Sequence, residues 1–316
     1  MQLTEVLMVV GFMLAAYSVV SNDSIQTLGA FIAANAQRAW WQLWMFASSI
    51  LVVVLIYGWI VNNGDPSYGR LNKFPEPPGG VSWIHVAAPL TLLILTRFGI
   101  PVSTTFLVLS VFAPSNIGNM LIKSAGGYMV AFIVAVVLYL LIRRAVRYLM
   151  ENQDDEIPTY WIVIQWLVTA LLWSQWLIQD LANIFVFLPR DLGINWLLFG
   201  LVVLVVMQGL MFYQKGGPIQ KIVTSKSNVH DIRSATIINF CYAIILFVFK
   251  ELSDMPMSTT WVFLGLLAGR ETAITILMQH RTAGGTAMII GKDASKAGLG
   301  LVVSIALAYV GIWVMG

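Results

Sequence analysis

The chain has 316 residues, of which 59% are hydrophobic and only 10% charged, against roughly 25% charged in ordinary soluble domains. Its net charge of +3 comes from basic residues scattered between apolar runs, without the stripe or aromatic platform that nucleic-acid binding needs. A lone cysteine, Cys241, excludes an internal disulfide. Apolar runs at 40–61, 129–142, 160–178, 196–212 and 299–314 approach or reach the ~20 residues that cross a hydrocarbon core. A membrane-spanning, all-α chain is the class that remains.

In chain order, the first twenty residues carry Glu5 as their one charge and show neither a basic leader nor a small-residue cleavage site. They are expected to form a retained first helix. Stretch 5–36 is too long for one straight crossing and is interrupted by Ser21-Asn22-Asp23-Ser24. Loop 62–82 follows, balancing Arg70 and Lys73 against Asp65 and Glu76. At Pro101 the preceding helix must end, and Ser103, Thr104 and Thr105 suit the cap and first turn of a new one. The apolar run behind them, 106–113, is too short to span, so a re-entrant half-helix is expected. Arg143, Arg144 and Arg147 precede a polar linker at 151–157.

The second part of the chain repeats these features. Gln179-Asp180 interrupts the apolar stretch 160–188, and a basic loop, 214–234, carries Lys215, Lys221, Lys226 and Arg233 against Asp231. Then Pro256 introduces Ser258, Thr259 and Thr260, ahead of the short run 261–268. Pro-Val-Ser-Thr-Thr and Pro-Met-Ser-Thr-Thr stand 155 residues apart, and Asp23 and Asp180 stand 157 apart. Two motifs recurring in one order at nearly one offset mark a duplication: residues 1–150, the linker, and 158–316. Basic residues favour the cytoplasmic side. The 214–234 loop and the 143–147 cluster are therefore expected inside, while the loop equivalent to the former, 62–82, is not basic. Equivalent loops on opposite faces imply inverted repeats with discontinuous helices, and both termini outside.

A carboxylate at membrane depth costs at least ~2.5 kcal/mol on insertion scales, so Asp23 and Asp180 need a reason to be there. Carboxylate and amide oxygens suit hard cations. Helix N-termini with hydroxyls suit an oxyanion. Four irregular points converging at a repeat interface thus suggest cation-coupled uptake of an anion. The coupling cations offset a membrane potential that opposes anion entry. Two rivals use the same architecture differently: an ion channel, and an intramembrane enzyme with Asp23 and Asp180 as a carboxylate pair. No nucleotide, zinc or nucleophile motif supports an enzyme, and His85, His230 and His280 lack metal-ligand spacing.

On these residues the chain resembles the inorganic phosphate transporter (PiT) family, whose halves each carry an Asn-Asp-x-Ala-Asn-like motif and then Pro-Val-Ser-Thr-Thr. Here they read Asn22-Asp23-Ser24-Ile25-Gln26 and Gln179-Asp180-Leu181-Ala182-Asn183, then 101–105 and 256–260. The resemblance covers nearly the whole chain. It implies a symporter of the cell membrane, with phosphate and Na⁺ or H⁺ bound between the halves and no resident cofactor or metal. Asp23 and Asp180 would then serve both cation and phosphate. Asn22, Gln26, Gln179 and Asn183 would add amide ligands, and the tips Ser103–Thr105 and Ser258–Thr260 would cradle the anion. Phe106 and Trp261 stand where the family often has histidine, and sulfate is the alternative cargo. The expected partners are a small inorganic oxyanion and lipid, with a homodimer compatible and nucleic acid excluded. Lys123, Lys250, Glu251, Asp254, Arg270 and Glu271 lie near the tips. An Arg270–Glu271 pair capping the hairpin is the favoured reading there.

Overall fold

A computed structural model describes residues 2–98, 100, 102–141, 158–216, 220, 232–252, 255–278 and 283–315. The 151–157 linker, Arg143, Arg144, Arg147, Lys221, Lys226, Asp231, His230 and His280 lie outside the described residues, as do Pro101 and Asp254. The described residues are helical throughout, with turns and loops between. Helix α1 (Leu3–Ser18) is closed at its start by Gln2, whose backbone N–H donates to Glu5 Oε2 at 3.0 Å. It runs through a π-helical turn, Val19–Asp23, into α2 (Ser24–Ala34). Then come α3 (Trp40–Val61) and α4 (Trp83–Arg97), the latter with Pro89 inside it. The Pro89 carbonyl accepts the Ser18 hydroxyl at 3.3 Å, which ties α4 to α1 beside the π turn.

Residues 102 and 103 are non-helical, and a second π-helical turn covers Thr105–Leu109. After Ser110–Phe112 the chain bends at Ala113 and passes through Pro114–Asn116 into α5 (Ile117–Leu141). The other part of the chain holds α6 (Thr159–Asp180), a single turn at Ala182–Phe185, α7 (Ile194–Tyr213), α8 (Ile232–Leu252), α9 (Thr259–Met278) and α10 (Ala283–Met315). Among the described residues eight helical segments are long and apolar enough to cross a membrane, and Trp83–Arg97 is a shorter apolar helix. Their outer faces carry exposed residues such as Val53, Leu167, Val202 and Val302. Side chains like these in the open suit lipid better than water. The protein is an all-helical integral membrane protein.

Two expectations change in detail. Neither interruption unwinds fully: Asp23 closes a π turn, a form common at functional sites, and Asp180 ends α6 one residue before a further helical turn. The run 261–268 does not stop at Ala268, because α9 continues to Met278 and is long enough to span. Its counterpart does stop, because Ala113 leaves the helical region and Pro114 restarts the chain. The reason for the difference lies in sequence: Gly269 and Arg270 continue the helix where Pro114 and Ser115 cannot.

Packing is densest where backbones approach. α9 lies along α5, α8 along α6, α4 along α1 and α7 along α3. α10 packs on the segment 105–112. Gly265 and Gly269 sit one helical turn apart on α9, and a Cβ at either would stand 2.3 Å from a carbonyl oxygen of α5, Tyr128 or Phe132. That is the close approach which small residues allow between membrane helices. Gly127 contributes from α5, against Val262.

Candidate functional site

The site is assembled from the π turn that ends at Asp23, the one-residue break after Asp180, and two helix starts. Ser103 and Ser258 act as caps: each side-chain oxygen accepts the backbone N–H three residues on, from Phe106 at 3.3 Å and Trp261 at 3.2 Å. With the serines so engaged, the threonines are the hydroxyls that face inward. Thr104 donates to Asp23 Oδ2, and Thr259 donates to Asp180 Oδ2 at 2.7 Å. Both carboxylates are 1% exposed. Each therefore relies on charge-assisted hydrogen bonds in place of water.

The amides complete the network across the molecule. Gln26 Nε2 reaches Asp23 Oδ1 at 3.5 Å and Thr260 Oγ1 at 3.2 Å. Asn183 Nδ2 donates to Asp180 Oδ1 at 2.8 Å and to Thr105 Oγ1 at 3.3 Å. The two sets match residue for residue at the sequence offset: each aspartate binds a threonine of its own part of the chain, and each amide crosses to the other part. Phe106 and Trp261, the matched residues behind the tips, meet with ring centroids 5.8 Å apart. Tyr242 donates to the Thr259 carbonyl at 2.9 Å, and the Ser124 hydroxyl accepts the Ser258 N–H at 2.8 Å.

The matching fails at one pair. Asn22 Nδ2 donates to Asp23 Oδ1 at 2.7 Å. Gln179, in the equivalent position, turns away. It donates to the Leu246 carbonyl at 3.2 Å and its Oε1 accepts from the Arg70 guanidinium at 3.4 Å. Arg70 is 1% exposed, so the loop charge that sequence counting places in water is buried beside the site. Sequence gives no sign of this, since a charged residue in a polar loop reads as solvated.

Two acceptors stand out. The side-chain carbonyl oxygens Gln26 Oε1 and Asn183 Oδ1 are buried without a hydrogen-bond partner, each on an amide whose nitrogen contacts a carboxylate. A buried acceptor left without a donor costs about 1–3 kcal/mol. Carbonyl and carboxylate oxygens are the ligand types that a hard cation takes, and both types are buried in this cluster. The remaining candidates lie outside this cluster. Lys250 and Glu251 pair at 2.9 Å near the surface, and Arg270 pairs with Glu271 at 3.0 Å, but inside the continuous helix α9 and not as the cap of a hairpin. Lys123 donates to the Met255 carbonyl at 2.6 Å. His85 is buried against Ser82 and Phe112. Among the described residues no three acidic, histidine or cysteine side chains group as a metal site.

Interrupted membrane helices whose tips and amides converge on two buried carboxylates thus define the site. The chain shares its fold with a solved structure, "The sodium-dependent phosphate transporter", at a TM-score of 0.65 and 16% identity, over 100% of this chain and 99% of that one. No family model matches the sequence. No curated protein matches it either.

Proposed function

We propose that the protein is a secondary active transporter that carries inorganic phosphate across the cell membrane together with Na⁺ or H⁺, by alternating access around the central cluster. The observation that carries this reading is the pair of unmet amide oxygens, Gln26 Oε1 and Asn183 Oδ1, beside Asp23 and Asp180. The fold it shares with a transporter named for sodium and phosphate agrees with it. The duplicated offset and the matched hydrogen bonds support two repeats, 1–150 and 158–316, and the basic residues of 143–147 and 214–234 are the ground for reading them as inverted with both termini outside. Sulfate offers the same tetrahedral oxyanion chemistry and is the alternative cargo.

The hydrogen bonds suggest an order of events. In the structure the inward threonine hydroxyls are spent on the carboxylates, which sit where an oxyanion would. A cation held by Asp23 with Gln26, or Asp180 with Asn183, would stabilise the carboxylate in place of the hydroxyl's hydrogen bond. Thr104 and Thr259 are then released to donate to phosphate. Cation binding thus precedes and permits anion binding, which is coupling expressed as a shared hydrogen-bond donor.

The test is uptake of labelled phosphate into proteoliposomes under an inward Na⁺ gradient and then a proton gradient, with unlabelled sulfate as competitor. Gradient-driven accumulation blocked by phosphate alone is the expected result, and Asp180→Asn should abolish it while the protein remains folded. Block by sulfate moves the cargo and keeps the mechanism. Flux without accumulation makes the protein a channel, and retained coupling in Asp180→Asn removes that carboxylate from the mechanism.

A further inference from the structure

Resting on the symport reading above, we propose that the seam between α2, α6 and α8 is the inner access route of the site. It fills with water and carries the transported ions between Asp23 and the cytoplasmic side. The starting point is a set of buried polar atoms that the site does not use. Thr27 Oγ1, Gln165 Nε2, Thr169 Oγ1 and Asn239 Nδ2 have no hydrogen-bond partner, and their residues are at most 2% exposed. All four stand on three helices that pack on one another.

Register places them in order along the seam. At its far end Asn35, just past α2, donates through Nδ2 to Gln165 Oε1 at 2.9 Å, and its Oδ1 accepts the Trp166 indole N–H at 3.2 Å. Thr169 is one turn further along α6 toward Asp180. On α2, Ala30 packs against Ala235 of α8, and one turn nearer the site from each stand Thr27 and Asn239. Thr27 is four residues from Asp23, and Asn239 is one turn from Tyr242, whose hydroxyl meets the Thr259 carbonyl. Gln179 Nε2 reaches the Leu246 carbonyl at 3.2 Å, which holds the site ends of α6 and α8 together. From Asp23 to Asn35 the seam therefore runs roughly 18 Å, at 1.5 Å per helical residue. Gln220, from the basic loop 214–234, donates to the Gly29 carbonyl of α2 at 2.7 Å, so the far end of the seam lies on that loop's side.

The repeat shows that the fold does not require these polar residues. At an offset of 157, Gln165, Thr169 and Thr27 correspond to Met8, Phe12 and Ile184, and at 155 Asn239 corresponds to Ile84. The matched positions, on α1, α4 and the turn Ala182–Phe185, are therefore apolar. Phe12, Ile84 and Ile184 are buried there, and Phe12 meets Phe185 edge-on with centroids 5.7 Å apart. Polar atoms without partners are costly at membrane depth, and polar residues facing a bundle interior mark ion pathways. Opening the seam to water satisfies all four atoms at once, whereas opening the matched positions would only wet apolar surface. Hydroxyls both donate and accept, so Thr27 and Thr169 can serve a cation and an oxyanion alike.

The test follows cysteine reactivity in the Cys241→Ala background. Thr27→Cys, Thr169→Cys and Ile184→Cys, in membrane vesicles of known sidedness, are treated from one side with a charged, impermeant methanethiosulfonate. Thiols left over are counted with a maleimide after unfolding, independently of transport. From the cytoplasmic side the two seam cysteines should react roughly ten-fold faster or more than Ile184→Cys, the ratio that about 1.4 kcal/mol of easier opening sets. Thr169→Val combined with Asn239→Leu seals the seam with apolar groups. It should raise the unfolding temperature in detergent, slow modification of Thr27→Cys and slow phosphate uptake. Threonine and cysteine are close in size, and sealing removes unmet atoms, so these variants should fold. Equal reactivity at Ile184→Cys, reaction from the outside alone, or undiminished uptake through the sealed seam overturns the proposal. Driven phosphate uptake with seam cysteines silent from both sides overturns this proposal alone. A reactive seam in a protein that accumulates no phosphate overturns the symport reading, while the seam stands as a hydrated path.

Discussion

At the residue scale, Thr104 and Thr259 carry the heaviest functional argument because one hydroxyl serves two masters. Each donates to a buried carboxylate in the structure, and the proposed mechanism gives that donor to the oxyanion once a cation arrives. Replacing either by valine keeps the shape and removes the donor. A hydrogen bond to a charged group contributes about 1.5–3 kcal/mol, so each of Thr104→Val and Thr259→Val should raise the phosphate KM for uptake by roughly ten-fold or more. Ser103→Ala, which removes only a cap on the Phe106 N–H, should act mainly on stability, by ~1 kcal/mol. A phosphate KM unmoved in both valine variants would show that the threonines never leave the carboxylates. These threonines were legible in the sequence because they recur with proline at a fixed offset, as were Asp23, Asp180, Gln26 and Asn183. The division of labour within Ser-Thr-Thr was not legible, since a cap and a ligand have the same spelling. Arg70 was hidden for a different reason: a loop's polarity is visible in sequence, but its depth is set by where Arg190 and Asn116 fasten it, through the Phe74 and Lys73 carbonyls.

At the element scale the contact between α5 and α9 fixes where the Thr259–Thr260 tip stands. Thr259 and Thr260 begin α9, and the same helix presents Gly265 and Gly269 to the Tyr128 and Phe132 carbonyls. A side chain at Gly269 cannot be absorbed by a rotamer change, because the opposing atom is backbone. Gly269→Val should therefore push the helices apart, and overpacking of this kind costs typically 1–3 kcal/mol. The expected readout is a lower unfolding temperature in detergent together with weakened phosphate uptake, because the tip moves with its helix. Gly284→Ala is the control, as a Cβ there meets nothing within 4 Å. Equal losses in the two variants would mean that glycine content, and not close approach, matters on these helices. The elements themselves were readable from apolar runs and proline positions, including the bend after Phe112. Sequence symmetry misled at the second tip, where the shared motif suggested a half-helix and the residues beyond it, Gly269 to Met278, carry the helix on. The π turns were also unreadable, since one extra residue in a turn leaves no mark on hydrophobic spacing.

At the scale of the whole molecule, the proposed inverted repeats make a claim about sides of the membrane that a chemical label can check. Loop 62–82 and turn 214–216 occupy corresponding places in the two halves, so inversion puts them on opposite faces. The basic excess of 214–234 puts the second inside. Lys73 and Gln214 are exposed in these segments and have negative φ, unlike the left-handed Lys215. The one native cysteine, Cys241, is buried, and its change to alanine gives a clean background. In whole cells an impermeant maleimide should label Lys73→Cys from outside and should reach Gln214→Cys only after the membrane is opened. The reverse pattern would keep the repeats inverted and turn the molecule over, placing Arg70 on the cytoplasmic side of the site. Labelling of both from one side would end the inverted arrangement and, with it, the reason for Asp23 and Asp180 to be approached in turn from opposite faces.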